Sequence, residues 1–322
     1  MSDTKTRTAT TATTPAADAV ACPVCGSGGS SIVGRPLYRQ PTKVAGVRID
    51  VSDLDLTWRR CGACEYQFIF PGIPEERLLA CYAGAATGHW GTDEDHGAVR
   101  LYDQKKRVLE QFAPGKRVVD FGCFDGGFLA YLGAGYEKFG IEPSADAARV
   151  AQSRGVTILG PTAAAAVQSA GAQRDFDAIV SFDVFEHLTD PVATLRDLKR
   201  WLRPGGIILI ETGNTDTPLW RRVGIRYAYT SYVEHVGLFN RSSIAEAGRR
   251  AGLSLAHFQR SAHHVIRPSH WIACKLYNAA YCVLRGVDAV KIPLPAAWRE
   301  AARGPLPRST AVDHFLAVLR VD

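Results

Sequence analysis

Residues 117–132 read Arg117-Val118-Val119-Asp120-Phe121-Gly122-Cys123-Phe124-Asp125-Gly126-Gly127-Phe128-Leu129-Ala130-Tyr131-Leu132. Arg117 to Phe121 is a short apolar run with a single carboxylate, the pattern of a strand buried on both faces. It breaks at a glycine turn, and an apolar helix resumes at Phe128. The same unit recurs downstream. Phe139-Gly140-Ile141-Glu142 is a second strand, followed by a helix from Ala145 to Ser153. Phe176 to Ser181 is a third strand, leading through Asp183-Val184-Phe185-Glu186-His187-Leu188 into a helix from Val192 to Leu202. Arg203-Pro204-Gly205-Gly206 then turns into Ile207-Ile208-Leu209-Ile210-Glu211. Strands alternating with helices at this spacing predict an α/β fold around a mostly parallel sheet, with ligands at the carboxyl ends of the strands.

The glycine turn narrows the ligand. A dinucleotide fingerprint would need glycine where Phe124 stands, and the phosphate-loop pattern is absent. What remains is Asp120-x-Gly122-x-x-x-Gly126, with Glu142 closing the second strand. Glu142 suits both hydroxyls of a ribose, and Asp120 suits an ammonium group. The glycines let an uncharged chain approach the backbone. A diol, an ammonium and no phosphate describe S-adenosylmethionine (SAM).

The surrounding chain is that of an ordinary globular protein. Its 322 residues are 46% hydrophobic and 22% charged, which excludes a fibrous chain or one disordered throughout. No apolar run reaches the ~18 residues of a membrane span. Residues 1–20 carry no apolar core of a signal peptide and are expected to form a disordered tail, so a cytoplasmic location is expected. Net charge is +6 and uneven, with 12 basic against 5 acidic residues from Arg241 to Asp322.

Four of the eight cysteines form two knuckles, Cys22-Pro-Val-Cys25 and Cys61-Gly-Ala-Cys64, separated by 35 residues. Paired thiolates on tight turns suit one tetrahedral ion, and four leave no open position for chemistry. Structural zinc in a module over residues 21–72 is therefore expected. A helical linker or lid over 73–115 follows, including His89 and Trp90 as candidate lid contacts. The sheet domain then fills 116–322. A helical insert at about 262–312 interrupts its closing strands, Leu253 to Phe258 and His314 to Arg320. That insert, with a basic stretch after Trp271–Leu284, could cap the acceptor pocket, dimerise the chain or rest on a membrane surface.

In order and spacing, four segments resemble class I SAM-dependent methyltransferases: Val118 to Gly126, Gly140 to Ser144, Phe176 to Leu188, and Leu202 to Gly206. The resemblance implies a Rossmann-like, mostly parallel seven-stranded sheet. It places the cofactor against Asp120, Gly122, Phe124, Asp125, Gly126, Glu142, Pro143, Ser181, Phe182 and Asp183. With the cysteine module and Tyr232-Val233-Glu234-His235, the chain is similar to sugar C-methyltransferases acting on nucleotide-linked sugars. That family implies His235 as general base, with Tyr232 and Glu234 as partners. It departs at Phe124, where the family typically has Asn, and in its C-terminal domain, which is truncated or replaced here.

A methyl transfer needs an aligned nucleophile and a group to take its proton, for which histidine is suited. For His235 the other reading is a loop-pinning hydrogen bond, and for His187 it is capping of the next helix. The expected function is methyl transfer, by C- or O-methylation, to a sugar, sugar nucleotide or related natural product, by a monomer or homodimer. The alternative is an RNA methyltransferase gripping nucleic acid with the zinc module and basic tail. The linker from Gly26 to Arg60, with 6 basic and 3 acidic residues and no tight cluster, speaks against it. A SAM-binding regulator without catalysis is the third class, suggested only by Phe124.

Overall fold

The computed structural model describes residues 20–38, 40–85, 96–170, 175–262, 268–306 and 312–322. Most of the expected tail, together with His89 and Trp90, lies outside the described residues.

In chain order the module contributes β1 (Ser30–Gly34), β2 (Lys43–Val44), β3 (Val47–Arg48), β4 (Thr57–Cys61) and β5 (Gln67–Phe70). Helices α1 (Glu75–Ala83) and α2 (His96–Phe112) lead into β6 (Arg117–Phe121) and α3 (Gly127–Leu132). Then follow β7 (Glu137–Ile141), α4 (Ala145–Ser153), β8 (Thr157–Gly160), α5 (Ala163–Ala170) and β9 (Phe176–Phe182). The second half comprises α6 (Pro191–Lys199), β10 (Leu202–Gly213), α7 (Pro218–Val223), β11 (Gly237–Leu238), α8 (Arg241–Ala251) and β12 (Ser254–Ser261). It ends with α9 (Pro268–Ala289), α10 (Ala296–Arg303) and β13 (His314–Arg320).

Seven strands form the main sheet in the order β12-β13-β10-β9-β6-β7-β8. β13 is antiparallel to both neighbours, and the pairs from β10 through β8 are parallel. Helices cover both faces, so the central strands read as unbroken apolar runs: Val118, Val119, Ile179, Val180 and Ile207 to Ile210 are fully buried. Local chemistry sets the helix starts. Ser144 caps α4 and Asp190 caps α6, each accepting a hydrogen bond from an amide of the first turn. Asn240 and Ser243 form a reciprocal capping box on α8.

Three local expectations change. The helix expected over Val192–Leu202 stops at Lys199, and Leu202 already pairs with Phe176 as the first residue of β10. The turn Arg203–Gly206 is consequently an irregularity inside that strand, between the pairs Leu202–Phe176 and Ile207–Ala178. β8, only four residues long at the sheet edge, has no pattern long enough to show in the sequence. Val20, placed in the tail by sequence, is buried, and its carbonyl accepts from the Ser30 hydroxyl at 3.1 Å.

The module and the sheet domain share structure. A second sheet, β1-β4-β5-β11, takes its last strand from the segment following β10. Gly237 pairs with Phe68, and the Ile69 amide donates to the Val236 carbonyl at 3.0 Å. Gly237 is required there, because a Cβ would lie 1.8 Å from the Tyr66 hydroxyl. Cys22, Cys61, Cys64, Tyr66 and Phe68 belong to the same apolar core as Ile208, Phe239 and Ile244.

Candidate active site

The turn after β6 forms one half of the site. Gly122 has φ of +82°, and a Cβ there would lie 2.5 Å from Val184. Phe124 also adopts a left-handed conformation, φ +47°, a sparsely populated state for a bulky residue. Its amide donates to Glu142 Oε2 at 2.8 Å, and the Ser144 amide donates to Glu142 Oε1 at the same distance. Glu142 thus bridges the turns after β6 and β7, and each oxygen keeps a lone pair for a further donor. Burial raises its pKa, while the two amides work against that shift. Asp120 lies beneath, buried, and its Oδ1 has no hydrogen-bond partner among the described residues. Burial pushes its pKa up to about 7, against the pull of the Lys105 ammonium. A cationic ligand group would satisfy that oxygen.

Other residues assigned to this half by sequence are placed differently. Asp125 turns its carboxylate to the Gly127 amide at 3.0 Å and to Arg154 at 2.9 Å, fixing the turn. Ser181 is fully buried, and its hydroxyl donates to the Phe121 carbonyl at 3.0 Å, across to β6. Pro143 is half-buried behind Glu142, and Gly126, at φ +76°, begins α3. Phe182 packs edge-on against Phe128, with the Lys105 ammonium 4.2 Å from its ring centre.

Beyond β9 lies a cluster drawn from five segments. His235 is buried, and its Nδ1 lies 2.6 Å from the Tyr229 carbonyl. A carbonyl can only accept, so Nδ1 carries the proton and Nε2 keeps the lone pair. His187 stacks on His235 with ring centres 5.1 Å apart, and its Nδ1 meets the Tyr82 hydroxyl of α1 at 2.8 Å. Glu186 accepts from the Tyr229 hydroxyl and, at 2.7 Å, from Thr212 at the end of β10. The ligand atoms of Glu186, His187 and His235 all lie within 4.8 Å of one another. Tyr232 packs its ring 5.2 Å from His235 and is the most exposed member, whereas Glu234 is buried.

Desolvation governs the titration here. Burial lowers His187 to about 4 and holds His235 well below the usual histidine value, with His187 beside it adding to the effect. Both imidazoles are therefore neutral near pH 7. Burial, reinforced by Asp183, raises Glu186 to about 7. Asp183, left-handed at φ +55°, lies 3.2 Å from His314 Nε2. His314 Nδ1 is 2.8 Å from Asp313, which in turn accepts from the Tyr227 hydroxyl at 2.7 Å. Burial opposes the charge on His314, but carboxylates on both sides hold its pKa well above normal.

Sequence reasoning missed several members. Glu186 was in view as part of a motif but carried no role. Tyr82, Thr212, Tyr229 and His314 lie far apart in the chain, with no local spacing to reveal them. Lys105 is another, an α2 ammonium buried at 2.6 Å from Glu211, which also accepts from Ser261 at 2.7 Å. The β5–β11 pairing was likewise out of sight. It holds Val236, whose amide donates to the Glu186 carbonyl at 2.8 Å, so the cysteine module sets the position of His235.

In that module, Cys22 and Cys64 Sγ are 3.6 Å apart, and Cys25 and Cys61 Sγ are 3.5 Å apart. All four sulfurs lie within 4.8 Å of one another and none forms a disulfide. A tetrahedral Zn²⁺ with Zn–S bonds of ~2.3 Å separates its sulfurs by roughly 3.8 Å, so the four thiols fit such an ion.

The parallel sheet with one reversed strand, the glycine turn and the carboxylate ending β7 define a SAM-dependent methyltransferase of the Rossmann-like class. A family model described as a methyltransferase domain matches residues 95–257, about half of the chain. The protein belongs to that family. It is 30% identical over 165 residues to a ubiquinone biosynthesis O-methyltransferase of Ralstonia nicotianae, covering 47% of this chain and 69% of the relative. A protein of the same description from Chromobacterium violaceum is 30% identical over 153 residues, covering 44% and 66%. Among solved structures, a SAM-dependent methyltransferase from Thermotoga maritima aligns with a TM-score of 0.43 and 18% identity, covering 69% of this chain and 90% of that one. The chain is thus a SAM-dependent methyltransferase.

Proposed function

We propose that the protein methylates a hydroxyl of a small acceptor, with His235 as the general base. The observation that carries this reading is the fixed tautomer of a neutral, buried histidine, its Nε2 lone pair free to take a proton. The hydroxyl proton passes to Nε2 as the oxygen attacks the methyl carbon. Bound SAM would supply the methyl group, its sulfonium becoming the thioether as the C–S bond is given up. Tyr232, at the exposed edge of the ring, orients the acceptor, and Glu234 supports the loop from beneath. Glu142 receives the ribose diol, and Asp120 the ammonium of SAM. The backbone and side chains of Gly122, Phe124, Gly126, Pro143, Phe182 and Asp183 wall the cofactor; Asp125 and Ser181 brace the turns around it. Cys22, Cys25, Cys61 and Cys64 would hold Zn²⁺, which would brace the module strands that carry the β5–β11 pairing.

Our reading of the acceptor is a sugar nucleotide or a related compound with an anionic group. A cavity of about 1040 Å³ beside the end of β10 supports it; Arg35, Arg60, Arg221, Arg222, Arg226 and Arg285 line it together with Glu65 and Asp216, which pair with Arg60 and Arg221, so the basic groups outnumber the acids. Several guanidiniums around one cavity suit a diphosphate.

The test is methyl transfer from labelled SAM to separate panels of nucleotide sugars, phenols and bulk RNA, read by mass. A methylated sugar nucleotide supports the full reading. A methylated phenol keeps the base and removes the sugar. RNA as the sole product overturns the small-molecule acceptor. Because His235 resists protonation, kcat/KM should hold as pH falls through about 6.5, the ordinary histidine value, and decline only well below it. The cluster of Glu186, His187 and His235 also has the donor types of a divalent-cation site. Chelation separates the readings: loss of turnover with the cysteine-bound zinc retained favours the cation, and unchanged turnover favours the base.

A further inference from the structure

Helix α9 has two apolar faces, and the described residues cover only one. Cys274, Asn278 and Tyr281 are buried, and the Tyr281 hydroxyl donates to the Gly304 carbonyl at 2.8 Å, tying α9 to the end of α10. On the opposite side Ile272, Leu276, Ala279, Val283 and Gly286, with Val290 just past the helix end, follow one another three or four residues apart, which is one line along a helix. None carries a charge. Ile272 is 53% exposed, Leu276 67%, Val283 65% and Val290 67%. At ~1.5 Å per residue, the line runs for about 27 Å. Single exposed apolar side chains are ordinary; a continuous strip of this length marks a binding surface.

The rim identifies the occupant. Trp271, Tyr277 and Trp298 are exposed along the hairpin, and the Lys275 ammonium sits 3.9 Å from the Trp271 ring centre. Between Pro268 and Leu306 there are five Lys and Arg and two acidic residues. One of those acids, Asp288, is taken by Arg303 at 3.1 Å. Apolar side chains bordered by Trp, Tyr and basic residues have the composition of a helix lying in a membrane interface. A second copy of the chain would bring two basic rims together, which argues for an anionic partner.

We propose that the outer face of α9 and α10 docks on an anionic lipid bilayer. The apolar strip enters the boundary between headgroups and acyl chains, and Lys275, Lys291 and Arg299 meet headgroup phosphates. No described helix is long and apolar enough to cross a membrane, so the contact is with the surface. Tyr281 and Leu306 share an apolar cluster with Trp220, Tyr229, Val233 and Val236, so docking brings the acceptor side of the site toward the lipid. The inference is independent of which acceptor is methylated.

Sedimentation of the full-length protein with vesicles tests it. Binding is expected with phosphatidylglycerol in phosphatidylcholine, and should weaken with added salt. Leu276→Asp combined with Val283→Asp should lower binding at least tenfold. Both side chains face solvent, so unchanged SAM affinity would certify the fold. Lys275→Glu combined with Lys291→Glu should cost roughly tenfold or more, since each basic residue contributes about fivefold at such a surface. Absence of binding to anionic vesicles would overturn the proposal, as would undiminished binding by the aspartate variant. A solution dimer that the aspartate variant splits would assign the face to a second copy instead.

Discussion

At the carboxyl edge of the sheet, the turn after β6 and the pocket beyond β9 are built in opposite ways. The turn is local. Its groups lie within about two dozen residues, and Glu142 is held by two backbone amides of neighbouring turns. The pocket is assembled from α1, the ends of β9 and β10, the loop before β11 and the start of β13, and side chains hold one another. Backbone-anchored groups suit a cofactor of fixed shape. Side chains desolvated together suit proton transfer, because burial moves their pKa values away from their values in water.

That contrast can be broken by substitution. The largest effect on turnover is expected from His235→Ala, which should lower kcat/KM by ~10²-fold or more, measured with the acceptor found in the panels. Next is Glu142→Ala, which removes a charge-assisted contact to each ribose hydroxyl. SAM affinity should fall by roughly 30-fold at about 2 kcal/mol, with kcat at saturating SAM little changed. Cys64→Ser reaches the pocket from outside it. Zinc content should drop by metal analysis, and stability should fall by on the order of 4 kcal/mol in denaturant titration, the range of a lost metal site. Turnover should fall with it, since β5 holds the loop of His235 through Val236 and Gly237. Tyr82→Phe should have the smallest effect. It deletes one hydrogen bond to His187 at about 1 kcal/mol, a few-fold in kcat, and SAM affinity should not move.

The same contrast explains what could be read from the sequence. β6 and the glycine turn were legible to the residue, because an apolar run, a glycine and a carboxylate leave few alternatives at that spacing. The helix α4 was equally clear over Ala145 to Ser153, and the structure adds Ser144 as its cap. Tyr232, Glu234 and His235 are candidates because they stand together in one motif, whereas their environment is not legible there. The carbonyl that fixes the His235 tautomer comes from Tyr229, which packs on Glu186 from the segment after β9. Asp125 and Ser181 show the reverse. They stand in the motifs, but their side chains bond within the protein, which only packing decides. The cysteine spacing predicted a shared site, and the sulfurs do converge. Nothing in that spacing showed that the module contributes three strands to the sheet that positions the pocket's histidine.

A calorimetric titration of SAM into Glu142→Ala and His235→Ala, side by side with the wild type, tests most directly whether the two halves are separate. We expect affinity to fall roughly 30-fold in the first variant, about 2 kcal/mol, and to stay at the wild-type value in the second. Equal weakening in both, or undiminished affinity in Glu142→Ala, would contradict the division of the site into a cofactor half and an acceptor half.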